Sequence, residues 1–196
     1  TMAINQKPSE ILQSMREIHP TCMCAVPRFW EKIYAAVQER IEKSNQMQKK
    51  LLLDALRIGH EYNVEYKMKG LLPPVGLRMQ YSIYENTMIA FLKKQLGLER
   101  ANFFPTAGAA VPPTIEDFVR SAGLMMVVGY GLTESTATVS VDRPNMPITI
   151  GSVGRLLDGI EIKFGENDEI LLKGKTITKG YYRKAEVTAL SIDEDG

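Results

Sequence analysis

A chain of 196 residues buries about two-thirds of its unfolded surface on folding, enough for one substantial domain or two small lobes. Lys and Arg number 24 against 23 Asp and Glu, for a net charge of +1; without a basic stripe this excludes long-range attraction to nucleic acid, and any polyanion handled here is small and locally gripped, as a nucleoside triphosphate is. No stretch approaches about 18 uninterrupted apolar residues and the start lacks a basic-then-apolar order, which excludes a spanning helix and a visible secretion signal.

In chain order, the cysteines come first. Cys22 and Cys24 stand one residue apart in TCMCAVP, where strand alternation points both thiols to one face. With no second ligand pair nearby they are expected to be buried small hydrophobes in a reducing cytoplasm. From Pro27 to Lys43, Trp30, Ile33, Tyr34, Val37 and Ile41 recur at three and four, which predicts an amphipathic helix with Pro27 in its first turn. A second helix is predicted over Met47–Tyr66 and a third from Ser82, with Gly70, Pro73, Pro74 and Gly76 breaking the chain between them.

Short apolar runs at Asn102–Thr106 and Leu124–Val128 flank a helical segment from Pro113 to Ala122, with Gly123 as its stop. Strand, helix, strand predicts a βαβ unit and a parallel sheet. After Asp142 the grammar changes: Pro144, Pro147, Gly151 and Gly154 lead into alternating Ile160, Ile162 and Phe164, a turn through Asn167, then Ile170 and Leu172. That predicts a hairpin with one buried face. The fold class is therefore α/β: a parallel sheet with flanking helices over 1–143, followed by a β-rich lobe over 144–196.

The chemistry is expected in VVGYGLTESTATV, which stands where the second parallel strand ends; ligands of open α/β sheets collect beyond the carboxyl ends of the strands. Gly129 and Gly131 allow a sharp turn around Tyr130 and present its ring as a flat surface, suited to a nucleobase. Thr133 and Glu134 follow with a hydroxyl and a carboxylate, suited to phosphate and magnesium, which takes hard oxygen ligands and is often shared with substrate phosphates and water. The plainer alternative is a turn in which glycine supplies unusual dihedrals and Thr133 caps a helix.

GYGLTES resembles the signature of the adenylate-forming superfamily. Three further blocks agree in order: FFPTAGAAVPP with the family's Gly-Gly-Ala-Pro stretch, IGSVGRLLDGIEI with its Gly-Ser-Val-Gly segment, and DEILLKGKTITKGYYRKAEVT with the stretch ending in Gly-Tyr and a Thr. CAVPRFWEKIYAAV, followed by a helical insertion, is similar to the corresponding segment of long-chain fatty acid CoA ligases. The resemblance implies that the β-rich lobe is barrel-like, that Tyr130 stacks on adenine, and that Ala107, Gly108 and Ala109 border adenine and the acyl group. It further implies that Gly129 and Gly131 shape the loop, with a Gly131 side chain intruding on the reacting carbonyl, that Thr133 contacts phosphate, and that Glu134 holds Mg2+. ATP, CoA and a long-chain fatty acid are the implied substrates, activated through an acyl-adenylate. A cytoplasmic protein follows, with peripheral contact at the inner face of the membrane and a homodimer both compatible.

Some positions depart from the family pattern. Val128 replaces a residue that is often polar, Asp168 a Gly, and Ala185 a Pro. His19 and His60 match no motif and are expected at helix ends or on the surface, and Lys173, Lys175 and Lys179 on a solvated strand face. Two other readings stay open: a ligase of the same superfamily for a medium-chain, aryl or amino acid, and a non-catalytic nucleotide- or acyl-binding relative. The family's phosphate loop, rich in Ser, Thr and Gly and ending in Pro-Lys-Gly, does not occur in the sequence, nor does its smaller C-terminal domain. The 196-residue chain by itself is therefore expected to form no acyl-adenylate, because groups that position and stabilise charge act as a unit. Pyrophosphate exchange with the isolated chain, magnesium, ATP and palmitate checks this; exchange above a Glu134→Ala control would contradict it.

Overall fold

A computed structural model describes residues 2–4 and 7–193. Helices fill the first half. The first, α1 (Ile11–Ile18), ends at His19, whose φ of 52° turns the chain through the left-handed region. Next, α2 (Pro27–Lys43) has the bounds its periodicity predicts and buries Phe29, Trp30, Ile33, Val37 and Ile41. Pro27 costs it no hydrogen bond, because a first-turn N–H has no partner inside the helix.

Asn45 opens α3 (Gln46–Gly59) by accepting the Gln48 N–H at 2.9 Å, the usual role of an N-cap amide. The rod continues with π-helical winding through His60–Tyr66. Gly59 sits where α3 meets the following layer, and a Cβ there would strike the Ser121 carbonyl.

The third predicted helix starts earlier than Ser82. It begins as α4 (Val75–Tyr84) directly after Pro74 and passes through a π-helical turn, Glu85–Ile89, into α5 (Ala90–Leu96). Gly76 therefore lies inside a helix rather than breaking one. Burial of Leu77 and Tyr81, four residues apart, against Ala55 and Ile58 outweighs its low propensity.

The βαβ unit is present as β1 (Phe104–Thr106), α6 (Pro113–Ser121) and β2 (Met126–Tyr130), with Phe104 paired in parallel to Met126 and Thr106 to Val128. Two short antiparallel strands, β3 (Ser140–Val141) and β4 (Arg155–Leu156), complete the sheet in the order β1-β2-β3-β4. A separate hairpin pairs β5 (Ile160–Phe164) with β6 (Ile170–Gly174), and α7 (Ala185–Ser191) follows.

Two burial expectations are corrected. Cys22 and Cys24 do share a face, but it is the exposed one; the backbone bridges Cys22 to Phe103 and Ala25 to Thr106, and Met23 and Ala25 take the inward positions. In the hairpin only Ile160 is buried, while Ile162, Phe164 and Ile170 are exposed, because among the described residues β5 and β6 pack chiefly on each other. Lys173, Lys175 and Lys179 are exposed, but only Lys173 stands on a strand; Lys175 and Lys179 lie in the irregular chain after β6. Asn167 and Asp168 carry φ of 55° and 61°, so Asp168 occupies a backbone conformation that glycine adopts at less cost. Ala185 is the first residue of α7, where proline would also fit.

The main core lies between α2 and the sheet. Trp30 packs edge-on to Phe104 with ring centroids 5.0 Å apart, and its Nε1–H donates to the Thr106 hydroxyl at 3.0 Å. This bond ties the helix layer to the last residue of β1, one step before the expected ligand-bordering segment. Trp30→Phe is expected to lower stability by about 1–3 kcal/mol, through the lost buried hydrogen bond and contact. Urea denaturation measures it, and an unchanged midpoint would contradict this account of the anchor.

Candidate functional site

A buried charged cluster fixes the end of β2. The Val128 N–H donates to Asp142 Oδ2 at 3.0 Å, and the Asp142 N–H donates back to the Val128 carbonyl at 2.8 Å. From α6, Arg120 Nη2 donates to Asp142 Oδ2 at 2.8 Å and Nε donates to Glu116 Oε1 at 2.8 Å. Glu116 Oε2 accepts the Gly151 N–H at 2.9 Å. All three side chains are buried, which is tolerable only because each charge meets an opposite charge and the carboxylates also receive backbone N–H groups. The side chain of Val128 is buried and its backbone is committed to Asp142, so the missing polar side chain leaves the strand itself intact.

Beyond Val128 the chain stays extended longer than the sequence suggests. Gly129 and Tyr130 are strand residues, paired with Val141 and Ser140, so the sharp turn lies further on. It is a hook: a 3-10 turn over Thr133–Ser135, then Thr136 and Ala137 at φ of 54° and 79°. Such left-handed residues cost about 1–2 kcal/mol each and are held by the surroundings. The Leu132 N–H donates to Ser135 Oγ at 2.9 Å, Ser135 Oγ–H donates to the Leu132 carbonyl at 3.0 Å, and the Thr136 hydroxyl donates to the Thr176 carbonyl at 2.6 Å. Ser135, buried, does the capping that the plainer reading gave to Thr133.

Gly131 has a structural reason different from the expected one. A Cβ there would strike the backbone carbonyl of Ala137, so glycine is required for the hook to fold back on the strand.

Ala107, Gly129, Tyr130, Gly131 and Thr133 line one cavity of about 580 Å³. Gly108 and Ala109 are exposed after β1 and do not line it. Glu134 lines a neighbouring cavity of about 620 Å³, which adjoins the first at Leu132, a residue lining both. There Glu134 Oε1 accepts the Tyr181 hydroxyl at 2.7 Å, and the Glu134 carbonyl accepts the Thr178 N–H at 2.7 Å. Tyr181, followed by Glu134's own backbone N–H, holds the carboxyl below the usual carboxylate range; the same hydrogen bond, then burial, pushes Tyr181 up.

Among the described residues no group of three or more His, Cys, Asp or Glu is placed to hold a metal. Glu134 lines its cavity together with Glu169 and Asp193; an ionised carboxylate on such a wall fits a hard cation that takes its remaining ligands from phosphate and water. His60 lines neither cavity; its Nδ1 lies 2.6 Å from Asp117 Oδ1 at the contact of α6 with the π-helical turn. No helix of the described residues is long and apolar enough to cross a membrane.

Sequence reasoning missed Arg120, Asp142, Ser135 and Tyr181. Glu116 and Arg120 stand four apart on a helix, the spacing of an ordinary surface pair. Tyr181 stands in the last of the family-like blocks, and a contact 47 residues away from Glu134 leaves no local signal. Gly131→Ala is expected to destabilise the protein by about 1–3 kcal/mol through overpacking, read as a lower urea midpoint; wild-type stability would contradict the hook's geometry.

The model of the AMP-binding enzyme family matches residues 2–182. The chain is 30% identical over 195 residues to long-chain-fatty-acid–CoA ligase ACSBG1 of Mus musculus, covering 95% of this chain and 26% of that protein. It is 29% identical over 188 residues to long-chain-fatty-acid–CoA ligase ACSBG2 of Xenopus laevis, covering 93% and 25%. It thus spans about a quarter of the length of these relatives. Among solved structures, the anthranilate CoA ligase AuaEII in complex with anthranoyl-AMP aligns with a TM-score of 0.55 at 14% identity, over 95% of this chain and 28% of that one; the shared fold is that of the large domain of adenylate-forming ligases. On the match across residues 2–182, the chain belongs to the AMP-binding enzyme family.

Proposed function

We propose that the protein activates a long-chain fatty acid with ATP and transfers it to CoA. The observation that carries this is the cavity beyond β1 and β2, lined by Ala107, Tyr130 and Thr133, which adjoins the cavity lined by Glu134. The 29–30% identity to long-chain-fatty-acid–CoA ligases supports the choice of acid.

In this reading the Tyr130 ring, set at the strand end and backed by the β2–β3 pairing, receives adenine. Ala107 keeps that side of the cavity free of bulk, and Gly108 and Ala109, on the exposed turn beside it, leave room for adenine and the acyl group. Thr133, exposed at the start of the hook, donates its hydroxyl to phosphate. Glu134 holds Mg2+, which supplies neutralisation of the charge that gathers on pyrophosphate as it leaves. No side chain acts as nucleophile. A carboxylate oxygen of the fatty acid bonds to the α-phosphorus, the bond to the β-phosphate oxygen breaks, and pyrophosphate departs with the electron pair. The CoA thiol then gives up its proton and attacks the acyl carbonyl, and AMP leaves with the electrons of the acyl–oxygen bond.

The full-length protein is expected to exchange labelled pyrophosphate into ATP in the presence of palmitate, more than with short-chain or aryl acids. Tyr130→Ala is expected to weaken nucleotide binding by about 1–3 kcal/mol, the worth of a base stacked on an aromatic side chain. Glu134→Ala is expected to cut the rate of adenylate formation far more than fatty acid binding, because it removes an interaction strongest as charge develops. Unchanged turnover in Glu134→Ala, or unaltered nucleotide affinity in Tyr130→Ala, would contradict the respective role; a preference for aryl acids would overturn the substrate.

A further inference from the structure

We infer that Tyr181 is the positioning residue for Glu134: its hydroxyl occupies one carboxylate oxygen, fixes the side chain's direction and leaves the second oxygen for the cation that accompanies the nucleotide. The inference rests on the proposed role of Glu134 as the cation's ligand and goes beyond it, because apart from Glu134's own backbone N–H the donor that holds that carboxylate comes from outside the signature segment.

The hook is attached to the β-rich lobe by three hydrogen bonds from one short segment. The Thr136 hydroxyl donates to the Thr176 carbonyl at 2.6 Å, the Thr178 N–H donates to the Glu134 carbonyl at 2.7 Å, and the Tyr181 hydroxyl donates to Glu134 Oε1 at 2.7 Å. One of these holds Glu134's own carbonyl and another the Thr136 side chain two residues on. The third reaches the carboxylate itself.

Tyr181 is in turn fixed from behind. Its N–H donates to Thr188 Oγ1 at 2.9 Å, and that hydroxyl donates to the Lys184 carbonyl at 2.9 Å in the first turn of α7. Gly180, at φ of 140°, lets the chain press against Thr188; a Cβ there would lie 2.6 Å from Thr188 Cγ2. A line of contacts therefore runs from α7 through Thr188 and Tyr181 to Glu134.

Without that line the carboxylate would sit on a one-turn 3-10 helix, in a partly exposed place, with its long side chain free to turn. An ordered donor removes that freedom before the cation arrives, so less is lost on binding. The remaining oxygen suits a cation that takes one protein ligand and fills its shell with phosphate and water.

The test uses the full-length protein and Mn2+ as a paramagnetic probe, titrated by electron paramagnetic resonance in the presence of a non-hydrolysable ATP analogue. Tyr181→Phe keeps the ring and removes the donor. It is expected to weaken Mn2+ binding by about 3- to 10-fold, within the net worth of an ordinary hydrogen bond. In turnover the effect is expected in the magnesium concentration for half-maximal rate rather than in the rate at saturating magnesium. Thr188→Val, which loosens Tyr181 from behind, should give a smaller shift of the same kind, and Thr188→Ser should restore wild-type binding.

Wild-type Mn2+ affinity in Tyr181→Phe, with Glu134→Gln strongly weakened, would overturn the role of Tyr181 and leave that of Glu134 standing. Wild-type affinity in Glu134→Gln would instead overturn Glu134 as the ligand. If Tyr181→Phe fails to fold, the Thr188 pair decides the matter. A loss of stability in Thr188→Val without a change in Mn2+ affinity would show a purely structural contact and overturn the inference.

Discussion

The structure depends on one buried guanidinium. Arg120 lies between Glu116 and Asp142 in the interior, and each carboxylate hands the constraint on to backbone: Asp142 to the Val128 N–H, Glu116 to the Gly151 N–H. Helix α6, strand β2, the chain after β3 and the segment leading to β4 are thereby joined at one point. Burying three charges is costly, and the cluster persists because removing any one member would leave the others unpaired in a dry interior. What it secures is direction: β2 emerges with Gly129 and Tyr130 still extended and paired to β3.

From that fixed strand end the hook follows by steric necessity. Gly131 must be small because Ala137 folds back onto it, and Thr136 and Ala137 carry left-handed dihedrals that only a well-tied loop sustains. The ties come from two sides, Ser135 within the hook and the segment 176–181 that follows the β5–β6 hairpin. Thr133 and Glu134, proposed for phosphate and cation, thus lie on a strained element held between two rigid ones, which preorganises charge-stabilising groups. Tyr130 and Thr133 face one cavity, Glu134 its neighbour, and Leu132 forms the wall between them.

Much of the fold was legible in the sequence, because local pattern specified it. Helix α2 appeared at its predicted bounds since Pro27 and a three-and-four apolar spacing say the same thing, and the βαβ unit followed from two apolar runs around a helix closed by Gly123. What escaped depends on residues far apart. β2 runs two residues further than the apolar run suggests because its partner β3 is only two residues long and has no pattern of its own. Glu116 and Arg120 carry no local mark of burial, because Asp142 and Gly151, the partners that cover them, are distant in sequence. The cysteine pair illustrates the limit of alternation: it gives a shared face and is silent on which face is inward. In the site, the glycines and the acid were legible as types, whereas the reason for Gly131 and the partner of Glu134 belong to tertiary structure.

The central claim is that Arg120 secures the strand that presents the site. The direct measurement is Arg120→Met, assayed by urea denaturation together with hydrogen exchange at the Val128 amide. The account predicts a loss of about 3–5 kcal/mol, as for breaking a buried ion pair by removing one partner, with faster exchange at Val128. A loss below about 1 kcal/mol, within the range of an exposed pair, with Val128 still protected, would contradict it.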